Sequence, residues 1–90
     1  MTTAEEILQA VSFLTKEKGM NTFRRADIKK QICADKHRWD NNYSPTFQGM
    51  RVDQPGGARN VGEKFQGIFQ QVSYGVHTLT EYGKEVIKNY

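Results

Sequence analysis

Apolar residues recur at Ile7, Leu8, Val11 and Leu14, the spacing of one buried helical face, with Ala10 and Phe13 flanking the stripe. Thr3 followed three positions later by Glu6 predicts a capping box, each side chain satisfying the other's free backbone N–H. Gly19 predicts the end of this helix in the left-handed conformation. Asn21 to Arg24 reads as a short extended piece with Phe23 pointing inward. Ala26, Ile28 and Ile32, with Cys33 nearby, predict a second helix over residues 25–34 that leaves Lys29 and Lys30 in solvent. Asp35 to Tyr43 is polar, and Asp40-Asn41-Asn42 reads as a turn. Ser44-Pro45 then predicts the start of a third helix, with Ser at the cap and Pro at the first helical position. It runs through Thr46 to Val52 with Phe47 and Met50 buried, and Gly49 weakens it by about 1 kcal/mol relative to Ala.

Beyond it, Asp53 to Gly62 contains Pro55-Gly56-Gly57 and reads as a loop. Phe65 to Val72 and Val76 to Leu79 predict two strands of a hairpin, joined at Ser73-Tyr74-Gly75. Thr80-Glu81 predicts the cap of a last short helix with Tyr82, Val86 and Ile87 inward. This order is that of an α+β winged helix-turn-helix domain: a three-helix core, a C-terminal β-hairpin wing and a short final helix, one domain over residues 1–90. Leu79-Thr80-Glu81-Tyr82-Gly83 resembles the strand-to-helix exit of many such regulators. Tyr43 to Arg51, Pro55-Gly56-Gly57-Ala58 and Gly67-Ile68-Phe69 resemble small winged-helix modules found with restriction-type endonucleases, some of which read cytosine methylation. That resemblance implies duplex-DNA binding and the sensing of a modified base. It carries over no nuclease activity, for which the chain holds no domain.

Composition narrows the picture. Ninety residues suit one small domain, and 37% hydrophobic with 26% charged residues is ordinary for a soluble protein. Apolar runs stop at two or three residues, so no transmembrane helix or signal-peptide core is expected, and no membrane partner. Cys33 is the single cysteine, which excludes an intramolecular disulfide and a Cys-based zinc site. A reduced, cytoplasmic and nucleoid-associated protein is the expectation. The net charge is only +3, but residues 22–38 carry Arg24, Arg25, Lys29, Lys30, Lys36 and Arg38 against Asp27 and Asp35. Positive charge is gathered on one part of the chain.

Candidate chemistry fails on spacing. Gly57 to Lys64 begins like a phosphate-binding loop, but its lysine is one position late and no Ser or Thr follows. Asp53, Glu63 and Lys64 lack the acid-x-Lys step of a nuclease. Cys33, Asp35, His37 and Asp40 read more simply as a small core residue and a polar surface, and His77 as an exposed strand residue. The chain is therefore expected to be no enzyme and to use no cofactor or metal.

Duplex DNA fits better. The second helix of a helix-turn-helix enters the major groove with its N-terminal residues at the base edges. Those are Tyr43, Ser44, Pro45, Thr46, Gln48 and Arg51. Ser44 and the first backbone N–H groups would hold a phosphate, Gln48 would pair with adenine and Arg51 with guanine. The Thr46 methyl and the Pro45 ring, walled by Tyr43, would pack against a pyrimidine 5-methyl. Arg24, Arg25, Lys29, Lys30, Lys36, Arg38, Arg59 and Lys64 are the expected backbone contacts, and Gln71, Ser73 and Tyr74 the wing. A solvated charged face is the plainer account of the basic run. The alternatives are a winged helix used for protein–protein contact or homodimerisation, with Trp39, Tyr74 and Tyr90 as its apolar patch, and RNA binding.

Overall fold

In the computed structural model, which describes residues 1–90, α1 (Thr3–Lys16) starts one residue earlier than the sequence predicts. Thr2 is the cap. Its Oγ1 accepts from Glu5 N at 3.2 Å while Thr2 N donates to Glu5 Oε1 at 3.0 Å. Ile7, Leu8, Val11 and Leu14 are buried, whereas Phe13 lies outward and is 40% exposed. Gly19 takes the left-handed conformation, and Met20 N then donates to Leu14 O at 3.1 Å, closing the end of the helix.

Phe23 is extended and buried. It exchanges two backbone hydrogen bonds with His77, 2.7 and 2.9 Å long. Helix α2 (Arg25–Ile32) follows, its start fixed by Arg24 N donating to Asp27 Oδ2 at 2.8 Å. Cys33 ends it in the left-handed region, φ 62°, and is exposed. The small-core role expected for Cys33 does not hold.

The main departure from the sequence reading is the segment after this turn. Asp35 is a helix cap, its Oδ1 accepting from Arg38 N at 2.8 Å. The chain then stays helical through α3 (Lys36–Arg38), a wider π turn (Trp39–Tyr43) and α4 (Ser44–Gly49). The predicted turn at Asp40-Asn41-Asn42 is absent, and Ser44 is an interior helical residue whose N–H donates to Trp39 O. The aromatic side chains give the reason. A wider turn rotates less per residue than an α-helix, which keeps Trp39, Tyr43 and Phe47 on one line facing the core. Trp39 and Tyr43 stack with centroids 6.1 Å apart, and both are buried. Tyr43 OH donates to Glu6 Oε2 at 3.0 Å and accepts from Arg38 Nη2 at 2.7 Å, tying this helix to α1.

Beyond α4, Met50 O accepts from both Ile68 N and Phe69 N, and Val52 N donates to Phe69 O at 2.9 Å. A short 3-10 turn (Glu63–Phe65) takes the place of the first part of the predicted strand. Strand β1 (Phe69–Ser73) pairs antiparallel with β2 (Val76–Leu79), Phe69 opposite Leu79 and Gln71 opposite His77, with a bulge before Ser73. Because Phe23 bridges to His77, β2 lies between Phe23 and β1. Thr80 caps α5 (Glu81–Ile87), accepting from Gly83 N at 3.0 Å. Ser12 Oγ and Lys16 Nζ donate to Ile87 O at the other end. Tyr82, expected inward, is half exposed and donates to Lys64 O. One cluster of 17 buried residues joins α1, α2, the π turn, α4, both strands and α5 in an α+β fold. No helix is long and apolar enough to cross a membrane.

Candidate nucleic-acid interface

The basic residues divide by what they touch. Arg25, at the first turn of α2, is half-buried with its guanidinium 4.8 Å over the Phe47 ring. Its Nη1 donates to Ser44 O at 3.2 Å and Ser44 Oγ at 2.9 Å, and its Nη2 donates to Gln48 Oε1. Arg51 is 9% exposed. Its Nε and Nη2 form a two-pronged pair with Asp53 at 3.0 and 2.7 Å, and its Nη1 reaches Gln48 Oε1 at 3.5 Å. Burial first, and then the nearby Arg51 charge, push the Arg25 pKa down from its ordinary value. Two guanidinium groups thus converge on one amide oxygen from opposite ends of α4.

The hairpin turn lies near the start of α2. A Cβ added at Gly75, in the β1–β2 turn with φ 73°, would lie 3.9 Å from Arg24 Nη1, so Arg24 stands beside the turn. Gln71, Ser73 and Tyr74 are exposed, Tyr74 at 96%. His77 is buried at 1%, contrary to the exposed position the sequence predicts, with its ring edge-on to Phe47 at 4.9 Å. Neither ring nitrogen has a hydrogen-bond partner. Burial, Arg51 and Arg25 lower the His77 pKa from 6.5 to about 4, with Asp53 opposing.

Three of the six expected readers are withdrawn from the surface. Tyr43 is 2% exposed and occupied by Glu6 and Arg38. Thr46 is 7% exposed, and its Oγ1 donates to Asn42 O at 2.8 Å, so its methyl cannot meet a base. Arg51 is committed to Asp53 and cannot fork onto guanine. Ser44, Pro45 and Gln48 stay at the surface, half-buried. The proposed phosphate site at Ser44 also fails, because its N–H is already used within the helix.

Of the expected backbone contacts, Arg25 is structural and Arg38 lies over the Tyr43 ring at 5.5 Å. Lys36 pairs with Asp40 at 2.7 Å in an exposed pair, raising the lysine's pKa and lowering the carboxyl's. Arg24, Lys29, Lys30, Arg59 and Lys64 form no salt bridge. Arg59 lines a groove with Thr2 and Thr3 at the start of α1, and Lys64 one with Tyr82 and Tyr90 of α5 and the C-terminus. Neither contacts Arg25, Ser44, Gln48 or Arg51. Trp39, expected in an apolar contact patch, is buried.

His37, expected on a polar surface, and Asn41, expected in a turn, are exposed one turn apart on the same helical rod, and neither was among the expected readers. Asn41 Nδ2 donates to His37 O at 2.9 Å. Asp35 three positions before Arg38, and Lys36 four before Asp40, are the cap and ion-pair signals that mark this helix. No group of three or more His, Cys, Asp or Glu side chains is placed to hold a metal. No protein-family model, curated protein or solved structure matches the chain.

Proposed function

We propose that the chain is a winged-helix module that binds duplex DNA in the cytoplasm and catalyses no reaction. The connectivity supports this reading. Helix α2, the short turn Cys33-Ala34-Asp35 and the long helical rod ending in α4 follow the order of a helix-turn-helix, and a β1–β2 hairpin comes after them in the chain as a wing does. The observation that carries it is the cluster of Arg24, Arg25, Ser44 and Gln48 beside the hairpin turn, which gathers positive charge and hydrogen-bond donors on one surface. In this role the exposed face His37, Asn41, Ser44, Pro45 and Gln48 enters the major groove. Arg24, Lys29 and Lys30 meet phosphates, and Tyr74 follows the neighbouring backbone.

With about three to four phosphates neutralised, log K is expected to fall with log salt at a slope of roughly −3 to −4. Arg24→Ala and Lys30→Ala should each weaken binding on all sequences alike and reduce that slope by about one. A titration that is flat in salt removes the proposal, and stronger binding to structured RNA than to duplex moves it to RNA. Cytosine methylation, if read, falls to the Pro45 ring, since Thr46 is buried. Thr46→Ser is therefore expected to leave any difference between methylated and unmethylated duplexes unchanged in paired titrations.

A second reading, binding to a protein or to a second copy, is favoured by the groove between α1 and α2. There Met1 and Phe13, 77% and 40% exposed, line one surface with Ile32. Sedimentation of the DNA-free protein over a concentration range tests it.

A further inference from the structure

The polarity of this surface bears on which base it accepts. An arginine can only donate hydrogen bonds, so the atom of the Gln48 amide that faces Arg25 and Arg51 is the oxygen. Oε1 accepts from Arg25 Nη2, and Arg51 Nη1 lies 3.5 Å from the same oxygen, so both cations face it. Nε2 makes no hydrogen bond within the protein and keeps both N–H groups. One turn earlier on the same face, Ser44 Oγ accepts from Arg25 Nη1 at 2.9 Å, which leaves its hydroxyl proton to donate outward. Both polar side chains at this surface are thereby made donors, and a single residue, Arg25, sets them so.

A free glutamine pairs with adenine by accepting from N6 while donating to N7. Here the accepting half is already used. Adenine N6 and cytosine N4 would each bring a donor against a donor, leaving N–H groups unpaired in a desolvated groove. Guanine presents two acceptors, N7 and O6, and thymine one.

We propose that Gln48, locked by Arg25 and Arg51 as a donor-only amide, selects guanine over adenine at one position of the bound duplex. Arg25 is the positioning residue for this choice. The inference rests on the DNA-binding reading above, and deepens it to the base that is read.

The test begins with selection from a randomised duplex pool, followed by anisotropy titrations of the recovered site. The wild type is expected to hold one position at which guanine exceeds adenine by about tenfold. Gln48→Ala should flatten that position and leave the salt slope intact. Arg25→Leu, which keeps apolar cover over Phe47, removes the closer of the two donors to Oε1 and should admit adenine as well as guanine there. Arg25→Lys, a point donor that cannot clamp both Ser44 and Gln48, should fall between. Inosine keeps N7 and O6 and should bind as guanine does, whereas 7-deazaguanine, lacking N7, should lose several-fold. The inosine, deazaguanine and Gln48→Ala arms stand even if Arg25→Leu fails to fold. Salt-dependent binding with adenine preferred, or with no position that responds to Gln48, overturns this proposal and leaves the DNA reading standing. Absence of duplex binding by the wild type removes both.

Discussion

Gly49→Ala is expected to destabilise the protein by about 2–3 kcal/mol, although alanine is the better helix former by about 1 kcal/mol. A Cβ at this last residue of α4 would lie 2.5 Å from Gly56 O, 2.9 Å from Gly56 C and 2.8 Å from Val61 Cγ2. The valine could rotate, but the Gly56 carbonyl cannot move alone. Gly56 N donates to Gly49 O at 3.1 Å and Val61 N donates to Gly56 O at 2.9 Å, so the loop is bonded to the helix end at the point of contact. Gly56 and Gly57 hold φ at 83° and 53°, which fixes the loop's path. The closeness is mutual, since a Cβ on Gly57 would lie 2.9 Å from Gly49 Cα. For a domain of this size the expected fall in Tm is about 10–20 °C. Gly62→Ala is the control, because its φ is −60° and nothing lies within 4 Å of an added Cβ. It should be neutral or stabilise by up to about 1 kcal/mol. Calorimetry of the two variants separates local propensity from tertiary contact: a higher Tm for Gly49→Ala would mean that the loop yields.

That glycine marks the limit of what the sequence discloses. Gly49 costs a helix stability, and nothing near it in sequence says that a loop seven residues on must lie against it. Where burial follows one period within one element, the sequence was legible: the stripe of α1, Phe47 with Met50, and the two strands with their left-handed Gly75. It was less so where distant side chains overrule local preference. Asp40-Asn41-Asn42 favours a turn, yet Trp39 and Tyr43 on either side are anchored in the core, and Tyr43 is bonded to Glu6 of α1. The helix persists because its inner face is held. The same holds for the site. Residue type singled out Ser44, Gln48, Arg25 and Arg51 as candidates, but gave no sign that they contact one another. Arg25 reads as one cation in a run, and only the folded chain lays it over Phe47 between Ser44 and Gln48. His77 is a different failure, since Leu79 faces the core and strand alternation turns the residue two positions earlier to the same side.

Lowering the pH from 7.5 to 4.5 is expected to remove about 2–3 kcal/mol of stability through His77 alone. Its ring is buried, neither nitrogen is bonded, and Arg25 from the start of α2 and Arg51 beyond α4 both face it, with only Asp53 favouring the charged form. Burial is the largest cause, and the folded-state pKa falls from 6.5 to about 4. Between those values the unfolded chain binds the proton and the native one does not. Acid therefore draws the equilibrium towards unfolding: the contribution is fully present above 6.5, is lost progressively on the way to 4, and changes no further once both states are protonated. The carboxyls of Glu5, Asp40 and Asp53 shift downward from 4.5, 3.8 and 3.8, so their contributions are lost chiefly at the acid end of this range and below it. Urea unfolding at half-unit steps of pH checks the profile, with His77→Leu as the comparison. Leucine has no group to protonate and no orphaned nitrogen, so the variant should be nearly flat from pH 7.5 to 5 and at least as stable as the wild type at pH 5. A slope that survives in His77→Leu would assign it to other groups. A flat wild type would mean that the core admits the imidazolium, by turning the ring towards Asp53 or letting water reach it. Because the His77 backbone is what joins β2 to Phe23, loss of its packing acts on the anchoring of the hairpin. Protection of the Phe23 and His77 amides against hydrogen exchange should therefore fall with acid, once the slower base-catalysed exchange at low pH is divided out.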